Sequence, residues 1–164
     1  MNKELEHNFV TQLEQNQNIV HKICRLYSND SDGHNDLFQE ITMQLWRAYP
    51  KFRGDSKFST WMYRVALNTA ITLYRKSKRR VATQDFEGVS FKIKADEYDD
   101  TIEEQLSLMY DAVKTLNDID KALVFLYLED KNYKEISSTL GISEVNARVK
   151  MNRIKGRLRK ILNP

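Results

Sequence analysis

The segment Lys134-Glu-Ile-Ser-Ser-Thr-Leu-Gly-Ile-Ser143 carries the strongest structural signal in this 164-residue chain. It predicts a short helix that ends at Gly141, because glycine readily takes the left-handed conformation that closes a helix. Ser143 then caps a second helix, and Glu144 in its first turn suits the helix dipole. A helix, a glycine-containing turn and a second helix are typical of a helix-turn-helix.

The second of these helices is predicted to have two unlike faces. One is an apolar stripe at helical spacing, which we expect to be buried: Ala147, Met151, Ile154, Leu158 and Ile161. The opposite face is polar and basic: Asn146, Arg148, Lys150, Asn152 and Arg153. Such a face fits the major groove of DNA, with its early residues at base edges and its later ones near phosphates. A solvated basic face on an amphipathic core helix is the alternative interpretation.

Apolar residues recur at three- and four-residue steps along most of the chain, and glycine and proline are scarce, at five and two. We therefore predict an all-α protein with seven helices: Lys3–Leu26, His34–Ala48, Phe58–Lys78, Thr101–Leu116, Ile119–Glu129, Tyr133–Leu140 and Glu144–Ile161. Residues 81–100 lack a helical period and contain Gly88, so we interpret them as a flexible linker between two small domains. A weak strand-like alternation at Val89–Ile93 has no predicted strand to pair with.

Charge is distributed unevenly, although the net charge is only +3. Residues 64–80 contain six bases and no acid, and residues 144–164 contain seven bases and one acid. Between them, residues 81–111 contain nine acids and two lysines. Two basic segments joined by an acidic linker indicate two nucleic-acid contacts. Solvated helix faces around a loop are the alternative interpretation.

The segment Phe52-Arg-Gly-Asp-Ser-Lys-Phe-Ser-Thr-Trp-Met-Tyr-Arg-Val-Ala-Leu-Asn-Thr-Ala70 carries a second set of candidate binding residues. A turn at Gly54 and Asp55 precedes a helix whose predicted inward face is Phe58, Met62, Val65, Ala66 and Leu73. Its polar face lies beside Trp61 and carries Arg64, Asn68, Arg75 and Arg79. A ring that stacks, an amide that reads a base edge and arginines that neutralise phosphates together suit single-stranded nucleic acid. Trp61 is equally compatible with a place in the core.

Enzymatic and metal chemistry find little support in the sequence. His21 and Cys24 have the spacing of a metal-ligand pair, but no second pair completes a tetrahedral site. The acids from Asp30 to Glu40 suit a turn and a helix start as well as they suit a metal site. No phosphate-binding glycine loop or nucleophile motif occurs. We therefore predict no catalytic residue, no metal, no cofactor and no small-molecule substrate.

Three segments, in this order, resemble the extracytoplasmic-function (ECF) sigma factors of bacterial RNA polymerase. Asp36-Leu-Phe-Gln-Glu-Ile-Thr-Met-Gln-Leu-Trp-Arg-Ala48 is similar to the helix with which they dock on the polymerase clamp. The segment from Phe52 to Ala70 resembles their −10 melting segment, and Tyr133 to Ser143 resembles the start of their −35-reading motif. The resemblance spans residues 17–161. It implies an alternative sigma factor that binds core RNA polymerase, recognises −35 and −10 promoter elements and promotes strand opening.

The resemblance also implies roles for single residues. The residues that it implies for polymerase binding are Asp36, Gln39, Glu40, Met43 and Arg47. Binding of the −10 element falls to Lys57, Trp61, Arg64, Asn68, Arg75 and Arg79. Binding of the −35 element falls to Asn146, Arg148, Lys150, Asn152 and Arg153. Residues 1–80 would form the polymerase and −10 domain, residues 81–100 the linker, and residues 101–164 the −35 domain.

The chain departs from the family at two places. Its recognition helix begins Val145-Asn-Ala147, where the family commonly has Gly-Thr-Val, and Asn117 stands where proline is frequent. The first departure leaves open whether Arg148 reads a guanine, or Asn146 or Asn152 an adenine, in the −35 element.

Location and partners complete the expectations. A single cysteine, Cys24, fits a reducing compartment. No apolar run is long enough to span a bilayer, and the N-terminus lacks the features of a signal peptide. We expect a cytoplasmic protein without a fused sensor domain, which binds core RNA polymerase, promoter DNA and an anti-sigma factor that can hold it at the inner membrane. A helix-turn-helix repressor or activator, whose N-terminal half dimerises or binds an effector, is the alternative.

Overall fold

A computed structural model describes residues 2–83 and 100–164, which form two helical units. The first unit contains α1 (Lys3–Tyr27), α2 (Ser31–Ala48), a short 3-10 helix (Tyr49–Lys51) and α3 (Phe58–Thr83). The second contains α4 (Asp100–Lys114), α5 (Asp118–Leu128), α6 (Tyr133–Leu140) and α7 (Glu144–Leu162). The all-α prediction is confirmed, and no described residue lies in a strand.

The predicted helices are all present, with small shifts at their ends. The start of α2 at Ser31 rather than His34 has a local cause, because the Asp30 carboxylate accepts a hydrogen bond from Gly33 N at 2.6 Å and caps the helix. The 3-10 helix at Tyr49–Lys51 was not predicted from the sequence.

The segment predicted as a linker, residues 81–100, is bordered by α3 and α4. The backbone of α3 remains helical to Thr83, so the helix includes the first three residues of that segment. At the other end α4 begins at Asp100. Residues 84–99, which include the strand-like alternation at Val89–Ile93, lie outside the described residues.

The first unit is a three-helix bundle in which every helix packs on the other two. Its centre is formed by fully buried aliphatic side chains from each helix: Val20, Ile23, Ile41, Leu45, Met62 and Leu67. Burial of one such side chain stabilises a fold by about 1.5–3 kcal/mol. This core determines which face of α2 and of α3 remains at the surface.

The inward face of α3 differs from the predicted stripe. Phe58, Met62 and Ala66 are buried as expected, but Val65 and Leu73 are only half-buried. The remaining buried positions were not predicted: Tyr63, Leu67, Ala70 and Ile71. Because α3 packs against α1 and α2 together, its buried face is wider than a single stripe and is turned away from Val65.

His21 pairs with another histidine, and not with Cys24. Its Nδ1 lies 3.0 Å from Nε2 of His34 across the contact between α1 and α2, and Phe38 stacks on its ring at 4.5 Å. Burial, and then the neighbouring His21, lower the pKa of His34. Cys24 is fully buried, and burial raises the pKa of its thiol to about 12. Among the described residues no three potential ligands gather into a metal site.

The histidine pair gives the first unit a pH dependence that can be measured. A histidine whose pKa falls on folding binds fewer protons in the native state than in the unfolded state. Its contribution to the free energy of unfolding is therefore intact above pH 6.5 and is lost as the pH falls through the native pKa. We expect His34→Gln to flatten the fall in the free energy of unfolding from about pH 7.5 to about pH 5.5. Urea unfolding of the full chain at several pH values across that range measures this fall in the free energy of unfolding.

His7→Gln is the matched control, because His7 is exposed on α1. It should keep the wild-type slope. If the wild type and His34→Gln lose stability in parallel on acidification, the histidine pair does not have this role.

The second unit is built around α5, which is buried on nearly all sides. Ala122, Leu123, Val124, Phe125 and Leu126 are all buried. Asn117 caps this helix through its side-chain oxygen, which accepts from Asp120 N at 2.9 Å. The amide therefore starts α5 at a position where the family often uses proline.

Helix α7 packs on α4, α5 and α6 through Ala147, Met151 and Ile154, which are buried as predicted. The rest of the predicted stripe differs, since Leu158 is half-buried and Ile161 is 41% exposed. Burial of the stripe thus decreases toward the end of α7, where Leu162 is also 44% exposed. Within the described ranges, no helix combines the length and apolar character needed to cross a membrane.

Candidate nucleic-acid interfaces

The start of α6 is fixed by reciprocal hydrogen bonds. The Asn132 side chain accepts from Glu135 N at 2.8 Å, and the Glu135 carboxylate accepts from Asn132 N at 3.1 Å. This capping box satisfies two backbone donors that the first turn would leave unpaired. Ile136, the next residue, is fully buried and anchors the helix on the core.

The turn between α6 and α7 confirms the predicted helix-turn-helix. Gly141 has a φ of +72° and its N–H donates to the Ser137 carbonyl at 2.9 Å. The Ser137 hydroxyl donates to the Ile142 carbonyl across the turn. Ser143 caps α7, since its hydroxyl oxygen accepts from Asn146 N at 3.1 Å. These local bonds set the angle at which α7 leaves α6.

Alanine substitutions at two glycines of this unit should change the free energy of unfolding in opposite directions. Gly141→Ala forces a side chain into the left-handed region and should lower the free energy of unfolding by about 1–2 kcal/mol. Gly156 lies within α7, where an added Cβ would meet no atom within 4 Å. Gly156→Ala should therefore stabilise the chain by up to about 1 kcal/mol.

Thermal or urea unfolding of the two variants beside the wild type measures both effects. The two substitutions add the same methyl group, so each serves as the control for the other. If both substitutions change the free energy of unfolding in the same direction, the left-handed conformation of Gly141 is not required for stability.

The outer face of α7 carries the residues expected to bind the −35 element. Asn146, Arg148, Asn152 and Arg153 are exposed, and Lys150 is half-buried. All five predicted residues therefore lie outside the core, on a helix whose only acid is Glu144 in its first turn.

Two cations on one side of α7 rest on tyrosine rings. The Arg148 guanidinium carbon lies 5.2 Å from the centre of the Tyr133 ring, and Lys155 Nζ lies 4.6 Å from the centre of the Tyr127 ring. The hydrogen bond to Tyr127 raises the pKa of Lys155. Neither tyrosine was predicted from the sequence to belong to the site. Tyr127 lies in the last turn of α5 and Tyr133 is the first residue of α6, so two aromatic residues close to the predicted helix-turn-helix were the available signal.

In the first unit the region around Trp61 is an aromatic cluster. The Trp61 ring lies 5.1 Å from Phe52, 5.4 Å from Phe58 and 6.2 Å from Tyr49, measured between ring centres. Trp61 is half-buried, whereas Phe58 is buried. The two interpretations of Trp61 are thus compatible, because one part of the ring packs in the cluster and another part reaches the surface.

Beside this cluster lies the basic face of α3. Arg64, Asn68, Arg75 and Arg79 are all exposed at helical spacing, and Lys57 is exposed just before the helix. The structure thus places an aromatic ring, an amide and several cations along one helix, as the sequence predicted. The resemblance also implied that the loop from Phe52 to Lys57 helps to shape this site, and Phe52 does support the ring. Tyr49, which supports it too, was not predicted to belong to the site.

The outer face of α2 carries the residues predicted to bind polymerase. Asp36, Gln39, Met43 and Arg47 are exposed, opposite the buried residues Leu37, Ile41 and Leu45. Glu40 is half-buried, and its carboxylate accepts a hydrogen bond from the Gln44 side chain at 3.2 Å. Met43, at 46% exposed, is a large apolar side chain at the centre of this polar face.

Comparison with known proteins identifies the two units. Residues 13–80 match the family described as Sigma-70 region 2, and residues 106–158 match Sigma-70, region 4. The ECF RNA polymerase sigma-E factor of Escherichia coli strain K12 is 29% identical over 133 residues, which cover 73% of this chain and 70% of that protein. This chain belongs to the ECF sigma factors. It is an alternative sigma factor for promoter recognition in transcription initiation.

One further sigma factor is similar to this chain in sequence, and two solved structures are similar to it in fold. The RNA polymerase sigma factor SigZ of Bacillus subtilis is 28% identical over 134 residues, covering 82% of the chain and 75% of that protein. The sigma factor RpoE of Bartonella quintana, solved in complex with the anti-sigma factor NepR, has a similar fold with a TM-score of 0.72 at 19% identity, covering 98% of both chains. CnrH, solved in complex with the cytosolic domain of CnrY, gives a TM-score of 0.68 at 16% identity, covering 96% of this chain and 89% of CnrH.

Proposed function

We propose that this sigma factor binds core RNA polymerase and directs it to promoters through two separate DNA contacts. Residues 1–80 would bind polymerase and the −10 element, residues 101–164 the −35 element, and residues 81–100 would join them. The observation that carries the proposal is the coincidence of each basic surface with one matched region. The face of α3 lies in the region 2 match, and the face of α7 lies in the region 4 match.

The −10 contact is proposed to capture single-stranded bases on α3. Asn68 presents an amide with two donors and an acceptor, which suit the edge of an unpaired base. The exposed part of Trp61 offers a stacking surface, and the exposed Lys57, Arg64, Arg75 and Arg79 can neutralise phosphates. Base capture would draw the non-template strand out of the duplex and so favour strand opening.

Asn68→Ala should impair opening of the −10 element more than binding of duplex at −35. The substitution removes base-edge hydrogen bonds worth about 1–3 kcal/mol, which is about five- to 150-fold in the open-complex equilibrium. It leaves α7 unchanged. Permanganate footprinting of holoenzyme on a promoter measures opening, and a gel-shift assay of the same complex measures binding.

Asn18→Ala supplies the control for this experiment. Asn18 is also an exposed asparagine on a helix of the first unit, but it lies on α1, away from the basic face. It should open the promoter as the wild type does. Normal footprints for Asn68→Ala would show that Asn68 is an ordinary surface residue.

The −35 contact is proposed to lie on α7, with its face in the major groove. Asn146, Arg148, Asn152 and Arg153 are positioned to reach base edges or phosphates, and Lys150 lies at the border of the core. The cation–π contact of Arg148 with Tyr133 limits the directions that its guanidinium can take. This restriction favours a specific contact, because less side-chain freedom is lost on binding.

The remaining surfaces are assigned to protein partners. The outer face of α2, with Asp36, Gln39, Glu40, Met43 and Arg47, is proposed to bind the polymerase clamp; its exposed methionine among polar groups supports a protein contact. An anti-sigma factor is a further proposed partner, since two solved relatives are complexes with such proteins or with a partner's cytosolic domain. We place the protein in the cytoplasm and assign it no catalysis of its own.

Reconstitution with core polymerase tests the proposal as a whole. The full chain is expected to co-purify with core enzyme and to start transcription from a defined set of promoters, which core enzyme alone does not use. Exchanging Met43 and Arg47 for alanine together should weaken the association with core enzyme. A chain that binds duplex DNA tightly without core enzyme and blocks transcription would instead be a helix-turn-helix repressor.

A further inference from the structure

We propose that Val145 and Val149 form an apolar ridge on α7 that recognises thymine methyl groups in the −35 element. The inference rests on the proposed −35 role of this helix and adds the chemical group that the helix reads. Neither valine was among the predicted binding residues. Their spacing of four, out of phase with the buried stripe, was the available signal.

The two valines are the exposed large apolar residues in the first half of α7. Val145 is 69% exposed and Val149 is 42% exposed, whereas Ala147, Met151 and Ile154 are buried. At 3.6 residues per turn, positions 145, 149 and 152 lie along one line opposite the buried residues. Val145, Val149 and the exposed Asn152 therefore form the crest of the helix, and the basic residues lie beside it.

Nothing within the described part of the second unit accounts for valine at these positions. A single exposed apolar residue is ordinary, but two on adjacent turns at the centre of a basic face form a patch. Valine is also a weaker helix former than the charged residues that surround it. The patch thus gains its favourable contacts from a partner.

Cations on both sides of the ridge identify the partner as DNA. Arg148 and Lys155 lie on one side, where the rings of Tyr133 and Tyr127 hold them. Arg153 and Arg157 lie exposed on the other side. This arrangement matches the major groove, where two phosphate backbones border a floor of uncharged base edges.

The chemistry of the groove floor narrows the choice to thymine. The C5 methyl of thymine is the one apolar group that standard bases present in the major groove. An aliphatic side chain forms no hydrogen bond, so its favourable contact there is with that methyl. Asn152 extends the same crest, and an asparagine amide pairs with adenine. The crest as a whole therefore fits A·T base pairs.

Replacement of thymine by deoxyuridine tests the proposal, because it removes only the methyl group. Holoenzyme assembled from the full chain first selects its −35 sequence from a randomised duplex, and each thymine selected is then exchanged for deoxyuridine. We expect binding to fall about fourfold at one or two thymines, which corresponds to about 0.8 kcal/mol for one buried methyl. Val145→Ala or Val149→Ala should each abolish the methyl effect at one of these positions.

Val10→Ala is the matched control. Val10 is 42% exposed, the same as Val149, but lies on α1 in the first unit. It should keep the full methyl effect. Since alanine is a stronger helix former than valine, the α7 variants are expected to fold, and unfolding curves check this.

The outcomes separate this inference from the function on which it rests. If holoenzyme selects a clear −35 sequence but no deoxyuridine weakens binding, the methyl contact is refuted and the −35 role of α7 stands. A methyl effect that persists in both valine variants also refutes the proposal. If no −35 preference is selected at all, both the inference and the proposed −35 contact fail.

Discussion

The burial of Ala147, Met151 and Ile154 against α4, α5 and α6 is the constraint on which the DNA-binding unit depends. A helix that buries one stripe has no freedom to rotate about its axis, so the opposite face is fixed as well. The basic residues of α7 thereby reach solvent, and Tyr133 and Tyr127 then orient Arg148 and Lys155 within that face. Apolar packing, and not charge, orients the surface that is proposed to read DNA.

The same logic governs the first unit, with a broader buried face. Met62, Ala66 and Ala70 are enclosed by α1 and α2, and this turns Asn68 and Arg64 outward. At the start of α3 the aromatic cluster serves a double purpose. Phe58 is buried within it, while Trp61 packs on its neighbours and still reaches the surface. A ring held in this way is preorganised for stacking, because little rotamer freedom remains to be lost.

Local hydrogen bonds complement this packing where helices must end sharply. The capping box of Asn132 and Glu135 and the left-handed Gly141 define α6 to the residue. Ser143 then starts α7 only two residues later. Such short connections leave little conformational entropy in the turn, so the angle between the two helices is stiff. A stiff angle lets α6 and the core brace α7 while its outer face binds a partner.

Most of the helix limits and the helix-turn-helix followed from the sequence alone. The spacing of apolar residues and the chemistry of helix caps act over only a few residues of sequence. Gly141, Ser143 and Phe58 mark helix ends in this way. The exposed faces with Asn68 and Arg148 followed for the same reason.

What only the tertiary structure decided depends on several helices at once. The buried face of α3 includes Tyr63 and Ile71 because two helices cover it. Ile161 continues the apolar stripe of α7 in the sequence but is exposed in the structure. His21 joins His34, and Tyr133 supports Arg148, through contacts between residues that are far apart in the sequence. The crest of Val145 and Val149 had a signal in the sequence, because both valines lie out of phase with the predicted buried stripe. Their exposure was decided by the tertiary structure, since the helices that pack on α7 cover its opposite side and exposure depends on neighbouring residues.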